Sequence, residues 1–192
     1  MIEIRHLEKR FGETEVFSNL NFRLEDGGRY CLMGASGRGK TTLLRCILGL
    51  EKPDTGEIMK SDPNLSAVFQ EDRLVEFLSP VDNVLLALSG GRSRAERKAL
   101  AVRALAEILP QDCLYQPCRE LSGGMRRRVA VCRAMLAESS AVLMDEPFSG
   151  LDEDNHSRLL QWVLREQRGR ILLLSSHDPE DAEALGGNVI TI

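Results

Sequence analysis

The run Gly34-Ala35-Ser36-Gly37-Arg38-Gly39-Lys40-Thr41 fits the pattern GxxxxGK[ST]. Its glycines let the backbone come close to phosphate oxygens, so that successive N–H groups and the positive end of a following helix point at them. Lys40 would neutralise the β and γ phosphates of a nucleoside triphosphate, and Thr41 would offer its hydroxyl to Mg²⁺. The run lies directly after the apolar RYCLM ending at Met33 and directly before TTLLRCILGL, the strand and helix flanks that such a cradle needs. Asp145 and Glu146 close a second apolar run in AVLMDEP. A carboxylate at that place would sit on the ligand-binding edge of a parallel sheet. There Asp145 can hold Mg²⁺ through water, and Glu146 can polarise an attacking water as general base. The plain alternative is an acidic strand end that caps the helix beyond.

A triphosphate site alone leaves kinases, GTPases and recombinase-like motors open. Leu121-Ser122-Gly123-Gly124-Met125 followed by RRRVAVCRAML narrows the choice. A hydroxyl, bare N–H groups and the positive end of a helix dipole make a second anion site there. A chain has one γ-phosphate pocket of its own, so the second site suggests that it faces another subunit's nucleotide. The run resembles the signature of the ATP-binding-cassette superfamily, and further elements of that family occur in its order along nearly the whole chain.

The resemblance implies that Gly34, Ser36, Gly37, Arg38, Gly39, Lys40, Thr41 and Thr42 bind ATP, that Phe11 stacks on adenine with Val16 beside it, and that Gln70 in AVFQEDRL joins the Mg²⁺ shell and senses the partner. Ser122, Gly123 and Gly124 would close over the ATP of a second, head-to-tail subunit. Ser149-Gly150-Leu151-Asp152 resembles the loop linking the two sites, and His177 in LLLSSHDPEDA resembles the switch histidine at the γ-phosphate. Taken alone, Phe11 reads equally as an edge-sheet aromatic, and a lone histidine after a strand, as His177 is, is more often ordinary than catalytic. Thr41, Gln70 and Asp145 would form the protein's share of the Mg²⁺ site, and Glu146, His177, Gln70 and Lys40 the catalytic set. Two positions depart from the pattern: Met125 stands where glutamine is usual, and Arg38 where a small residue is usual.

The elements that must position these residues follow from hydrophobic periodicity. RYCLM, LSAVF, AVLM and ILLL are strand-length apolar runs bounded by Gly, Asp or Ser, as in a parallel sheet covered on both faces. LDEDNHSRLLQWVLREQRG carries Leu159, Leu160, Val163 and Leu164 at helical spacing and stops at Gly169. The opening segment 2–30 alternates apolar and polar residues around the turn signals Gly12-Glu13 and Asp26-Gly27-Gly28, which predicts an antiparallel sheet. Residues 80–138 hold helix patterns without a strand: VDNVLLAL, then SRAERKALAVRALAEIL before Pro110, then a helix opening near Ser122. The expected fold is α/β, a P-loop NTPase core of mostly parallel sheet flanked by helices, with an N-terminal antiparallel β subdomain and an inserted α-helical subdomain. As one domain over 1–192, its core would take residues 1–79 and 139–192 and its helical lobe about 80–138.

Composition bounds the rest. With 192 residues, 43% of them apolar, the chain can bury a substantial core. No apolar run approaches the roughly 20 residues needed to cross a bilayer, and MIEIRHLEKRF carries charges where a signal peptide needs an apolar stretch. A cytoplasmic chain is expected, held peripherally at the cytoplasmic face of the cell membrane by a partner. The net charge of −4 and the dispersed basic residues argue against nucleic acid as a partner. The five cysteines form no CxxC pair and read as buried thiols of a reducing compartment, with a metal pair at Cys113 and Cys118 as the alternative.

In family terms the sequence looks most similar to importer cassettes serving a separate integral membrane permease, through apolar residues after Gln70 in QEDRLVEFLSPVDNVLLAL. Soluble cassettes such as those of iron–sulfur assembly, and export or lipid-handling cassettes, share the same motifs and stay open. Ending at Ile192, soon after the histidine strand, the chain is expected to be a minimal cassette without a C-terminal regulatory extension.

Overall fold

Two kinds of strand build the chain, in a computed structural model that describes residues 1–192. The residues group into two compact units, one of 1–65, 140–146 and 169–192, the other of 66–139 and 147–168.

The first unit holds two sheets. β1 (Ile2–Phe11) and β2 (Thr14–Leu24) form an antiparallel hairpin across the Gly12-Glu13 turn, paired from Ile2 opposite Leu24 to Phe11 opposite Thr14 with register shifts between Ile4 and Leu7, between Leu7 and Lys9, and between Lys9 and Arg10. The sequence does not announce the third strand, β4 (Thr55–Lys60), which pairs antiparallel with the other edge of β1. Its pairing breaks between Arg5 and Glu8, where His6 takes a left-handed φ of 47°. Gly56 lies at this irregularity with φ 82°, and a Cβ there would stand 2.3 Å from the His6 carbonyl oxygen. Only glycine fits so close a backbone approach.

β3 (Arg29–Met33), β6 (Ala141–Asp145), β7 (Ile171–Ser176) and β8 (Asn188–Thr191) run parallel in the order β6-β7-β3-β8. Every residue of β6 and β7 is buried, which explains why those runs are continuously apolar rather than alternating. β5 (Leu65–Val68) passes from the first unit into the second. α1 (Lys40–Leu48) lies in the main core cluster, where its Leu43, Leu44 and Ile47 join Ile4 and Leu24 of the hairpin and Leu143 and Leu173 of the parallel strands. Burying each such side chain stabilises by roughly 1.5–3 kcal/mol. This wedge of apolar side chains fixes the start of α1 against the ends of the parallel strands. α6 (Pro179–Leu185) follows β7, capped by Asp178.

The second unit is mainly helical: α2 (Pro80–Leu85), α3 (Arg94–Ile108), α4 (Gly123–Leu136) and α5 (Glu153–Glu166), with single 3₁₀ turns at Gln111–Cys113 and Cys118–Glu120. Ser93 and Glu96 form a capping box at the start of α3. The helix stops because Leu109, which precedes Pro110, is extended at φ −132° and ψ 152°. Asn83, fully buried on α2, pins the segment before it by accepting from Val75 N and donating to Val75 O, Leu78 O and Ser79 O. All five cysteines are free and buried, and burial pushes the Cys118 thiol up to about 11.

Candidate functional site

Register in the parallel sheet decides where the chemistry sits. Met33 pairs with Ser176 and Asp145 with Ser175, so the residues that follow three neighbouring strands, Gly34, Glu146 and His177, emerge at one sheet edge. The phosphate loop rises from β3 and enters α1 at Gly39. That residue has φ 92°, and a Cβ on it would meet Val16 Cγ1 at 2.3 Å. Val16 is thus packed against the loop. The loop's outer residues Ser36, Gly37 and Arg38 are exposed, as a surface that meets a ligand must be, and Thr41 and Thr42 are half-buried in the first turn of the helix. Lys40 is buried, and its ammonium donates to Gly34 O at 2.6 Å and Ala35 O at 3.2 Å.

Behind the loop lies a chain of hydrogen bonds. Thr41 donates from Oγ1 to Asp145 Oδ2 at 2.6 Å, Ser175 donates to Asp145 Oδ1 at 2.6 Å, and Glu146 N donates to Ser175 Oγ at 3.0 Å. The buried Asp145 carboxylate therefore has both oxygens engaged. Glu146 takes a left-handed φ of 46°, a costly backbone state for a residue with a Cβ. The turn carries its half-buried side chain to within 3.5 Å of His177 Nδ1 at Oε1. His177 is itself exposed. The turn bearing it is braced by Ser176, which donates to Asp181 and accepts from Asp178 N at 3.0 Å.

The donor set suits Mg²⁺. A hydroxyl and a carboxylate stand side by side at the base of a phosphate loop, and no group of three or more His, Cys, Asp or Glu side chains could enclose a metal. A cation that keeps several waters and takes phosphate oxygens needs few protein ligands of this kind. Phe11, at the end of β1, is half exposed at 52%, with the Lys9 ammonium 4.9 Å from its ring centroid. Lys9 is held in turn by Glu51 at 2.7 Å and by Lys52 O at 2.8 Å. One ring face is thereby supported while the ring stays open to a ligand.

The remaining sequence-predicted residues belong to the second unit. Ser122 is the N-cap of α4 and accepts from Met125 N at 3.2 Å, leaving Ser122 and Gly123 exposed at the helix start. Gly124 lies under Leu151, whose Cδ2 would be 3.0 Å from a Cβ at this position. Asp152 caps α5 by accepting from Asn155 N at 2.9 Å and from its side-chain amide at 2.7 Å. The Asn155 backbone N–H holds the Asp152 carboxyl below its ordinary value. Asn155 also accepts from Arg128 at 2.7 Å, and Arg128 reaches Gly124 O at 3.3 Å, which ties the cap of α5 to the first turn of α4. Gln70, just after β5, has an exposed side chain. Sequence reasoning overlooked Ser175, although two serines at the end of an otherwise apolar buried strand signal that each has a buried partner.

The comparisons with known proteins agree with this geometry. The family model described as ABC transporter matches residues 17–149. The chain is 38% identical, over its whole length and 73% of the relative's, to the aliphatic sulfonates import ATP-binding protein SsuB 1 of Rhizobium johnstonii. It is 34% identical to the sulfate/thiosulfate import ATP-binding protein CysA of Pseudomonas putida, again over its whole length but only 63% of that relative's. Its fold superimposes with a TM-score of 0.88 and 26% identity on the ATP-binding cassette MJ0796, whose dimer was solved in a post-hydrolysis state with ADP and Pi, covering all of this chain and 94% of that one. With the phosphate loop, the acid pair and the signature helix in place, the chain belongs to the ABC transporter family, as one of its ATP-binding and ATP-hydrolysing cassettes.

Proposed function

We propose that this chain is the ATP-hydrolysing subunit of a solute importer, energising a separate integral membrane permease from the cytoplasmic face of the membrane. The similarity across its full length to sulfonate and sulfate import ATP-binding proteins points to a small oxoanion as solute. The observation that carries the catalytic part is the bonded series Thr41, Asp145, Ser175 and Glu146 at the foot of the phosphate loop. In this reading Phe11 stacks on adenine with Val16 at the neighbouring wall. The backbone of Gly34, Ser36, Gly37, Arg38 and Gly39 cradles the phosphates with Lys40, Thr41 and Thr42. Thr41, Asp145 and Gln70 would hold Mg²⁺, which when bound would neutralise charge on the phosphates. Glu146 takes the proton of the attacking water, and His177 holds the γ-phosphate side of the pocket. Two chains pair head to tail, and Ser122, Gly123 and Gly124 of each present a hydroxyl and free N–H groups to the partner's nucleotide while Asp152 joins the two sites. Catalysis here is positioning and electrostatics, since the protein adds no covalent step.

Isolation of the tagged chain from detergent-solubilised membranes and from the soluble fraction tests the transport reading. A stoichiometric polytopic membrane protein is the expected companion. Recovery with soluble partners only, ATP hydrolysis being intact, would overturn the assignment to a transporter and leave the ATPase chemistry standing.

A further inference from the structure

The backbone carbonyls of the loop that carries Gln70 are held from another element. Arg127 of α4, only 8% exposed, donates to Phe69 O at 2.6 Å and to Gln70 O, and its Nε stands 3.4 Å from Asp72 Oδ1. That carboxylate oxygen is buried and accepts no hydrogen bond, so the charge of Arg127 is its nearest compensation. Arg133 of the same helix donates to Arg73 O at 2.9 Å and to Asp72 O at 3.2 Å. Arg73 has a left-handed φ of 47°, and its guanidinium lies 3.8 Å from the centroid of the Phe69 ring. Four carbonyls between 69 and 73 are thus taken by two arginines of one helix, while the Gln70 side chain is left exposed.

α4 is the helix that Ser122 opens, and Arg127 lies five residues from that cap, about 8 Å along the axis. We infer that Arg127 is a positioning residue that locks the Gln70 loop to the signature helix, so that the two phosphate-contacting elements of this unit move as one piece. The inference deepens the proposed function, because it rests on Gln70 acting at the nucleotide. The chemistry of the side chain fits the task. A guanidinium presents five donors in a planar fork and can serve two carbonyls and a carboxylate together. A lysine offers a point charge that reaches fewer of them at once, and a glutamine offers one neutral amide.

The test is a kinetic cycle on the purified chain with Arg127→Gln, Gln70→Ala and the double variant, alongside Arg127→Lys. The expected result is that Arg127→Gln lowers kcat for ATP about tenfold with KM within about threefold, because binding contacts are untouched while an arrangement needed for turnover is lost. Arg127→Lys recovers part of that loss. The double variant is no slower than Gln70→Ala alone, since Arg127 acts through the loop that Gln70 occupies. A double variant slowed by the product of the two single effects overturns the inference, as does wild-type kcat in Arg127→Gln when Gln70→Ala is impaired. If Gln70→Ala itself keeps wild-type kcat, the reading of Gln70 fails first. Should Arg127→Gln fail to fold because Asp72 keeps only the more distant Arg126 as counter-charge, the same cycle run on the paired Asp72→Asn/Arg127→Gln background decides the matter by the same two criteria.

Discussion

Ser175→Ala isolates one atom of the catalytic edge. The Ser175 hydroxyl is fully buried, donates to Asp145 and accepts from the N–H of Glu146. Its removal takes a charge-assisted hydrogen bond of about 1.5–3 kcal/mol from Asp145 and leaves the Glu146 N–H without its partner, a further cost of about 1 kcal/mol where water can reach the half-buried turn. The folded state should lose about 2–4 kcal/mol, read as a lower urea midpoint at unchanged slope. Turnover should suffer separately. The left-handed φ of 46° at Glu146 is a strained state of about 1–3 kcal/mol, and the bond to Ser175 is what opposes its relaxation. If relaxation costs about 1–2 kcal/mol of transition-state stabilisation, kcat falls roughly five- to thirtyfold. KM for ATP should stay within about threefold, because the phosphate loop keeps all its contacts. Steady-state ATP hydrolysis beside urea denaturation measures both effects. A lowered midpoint with wild-type kcat would refute the argument that Ser175 sets the Glu146 turn.

Other consequences can be checked as simply. Gly39→Ala forces a left-handed φ on a residue with a Cβ, at about 1–2 kcal/mol, and drives that Cβ into Val16, so ATP affinity in a fluorescent-nucleotide titration should fall more than tenfold. The Asp152 cap should respond to acid. Its carboxyl is held below the ordinary value by the Asn155 N–H, so its contribution is present above the unfolded pKa of about 3.9 and is lost as pH falls through the lower folded value. The stability gap between wild type and Asp152→Ala should therefore hold constant from neutral pH down to about pH 5 and close below the unfolded value, as read from urea midpoints across that range.

The phosphate loop, the acid pair and the cap at Ser122 were legible because each is a local pattern: a loop between a strand and a helix, a strand end, and a helix start. The buried strands were legible for the same reason, since AVLM of β6 and ILLL of β7 are continuous apolar runs. β4 was not, because three of its six residues are exposed and its place depends on a bulge in β1 that only Gly56 accommodates. Ser175 was overlooked because its role comes from register with Asp145, thirty residues away, and register is a property of the assembled sheet. Arg127 lay hidden for a related reason. Arg126, Arg127 and Arg128 are adjacent in the sequence, and nothing in that run shows that two of them are buried against carbonyls of other segments. The helical patterns over 80–138 were plain, but nothing in their periodicity said that α5 packs with α3 and α4 in the same unit.

In the proposed cycle Glu146 is the base of an ATP site closed by a second chain. The direct measurement is ATP hydrolysis by Glu146→Gln, which keeps the shape of the side chain and removes its capacity to take a proton, with sedimentation of the same sample in ATP. The expected outcome is a fall in kcat of at least about a hundredfold, retained ATP binding, and a stable two-chain species that disperses in ADP. Turnover at the wild-type rate in this variant would contradict it.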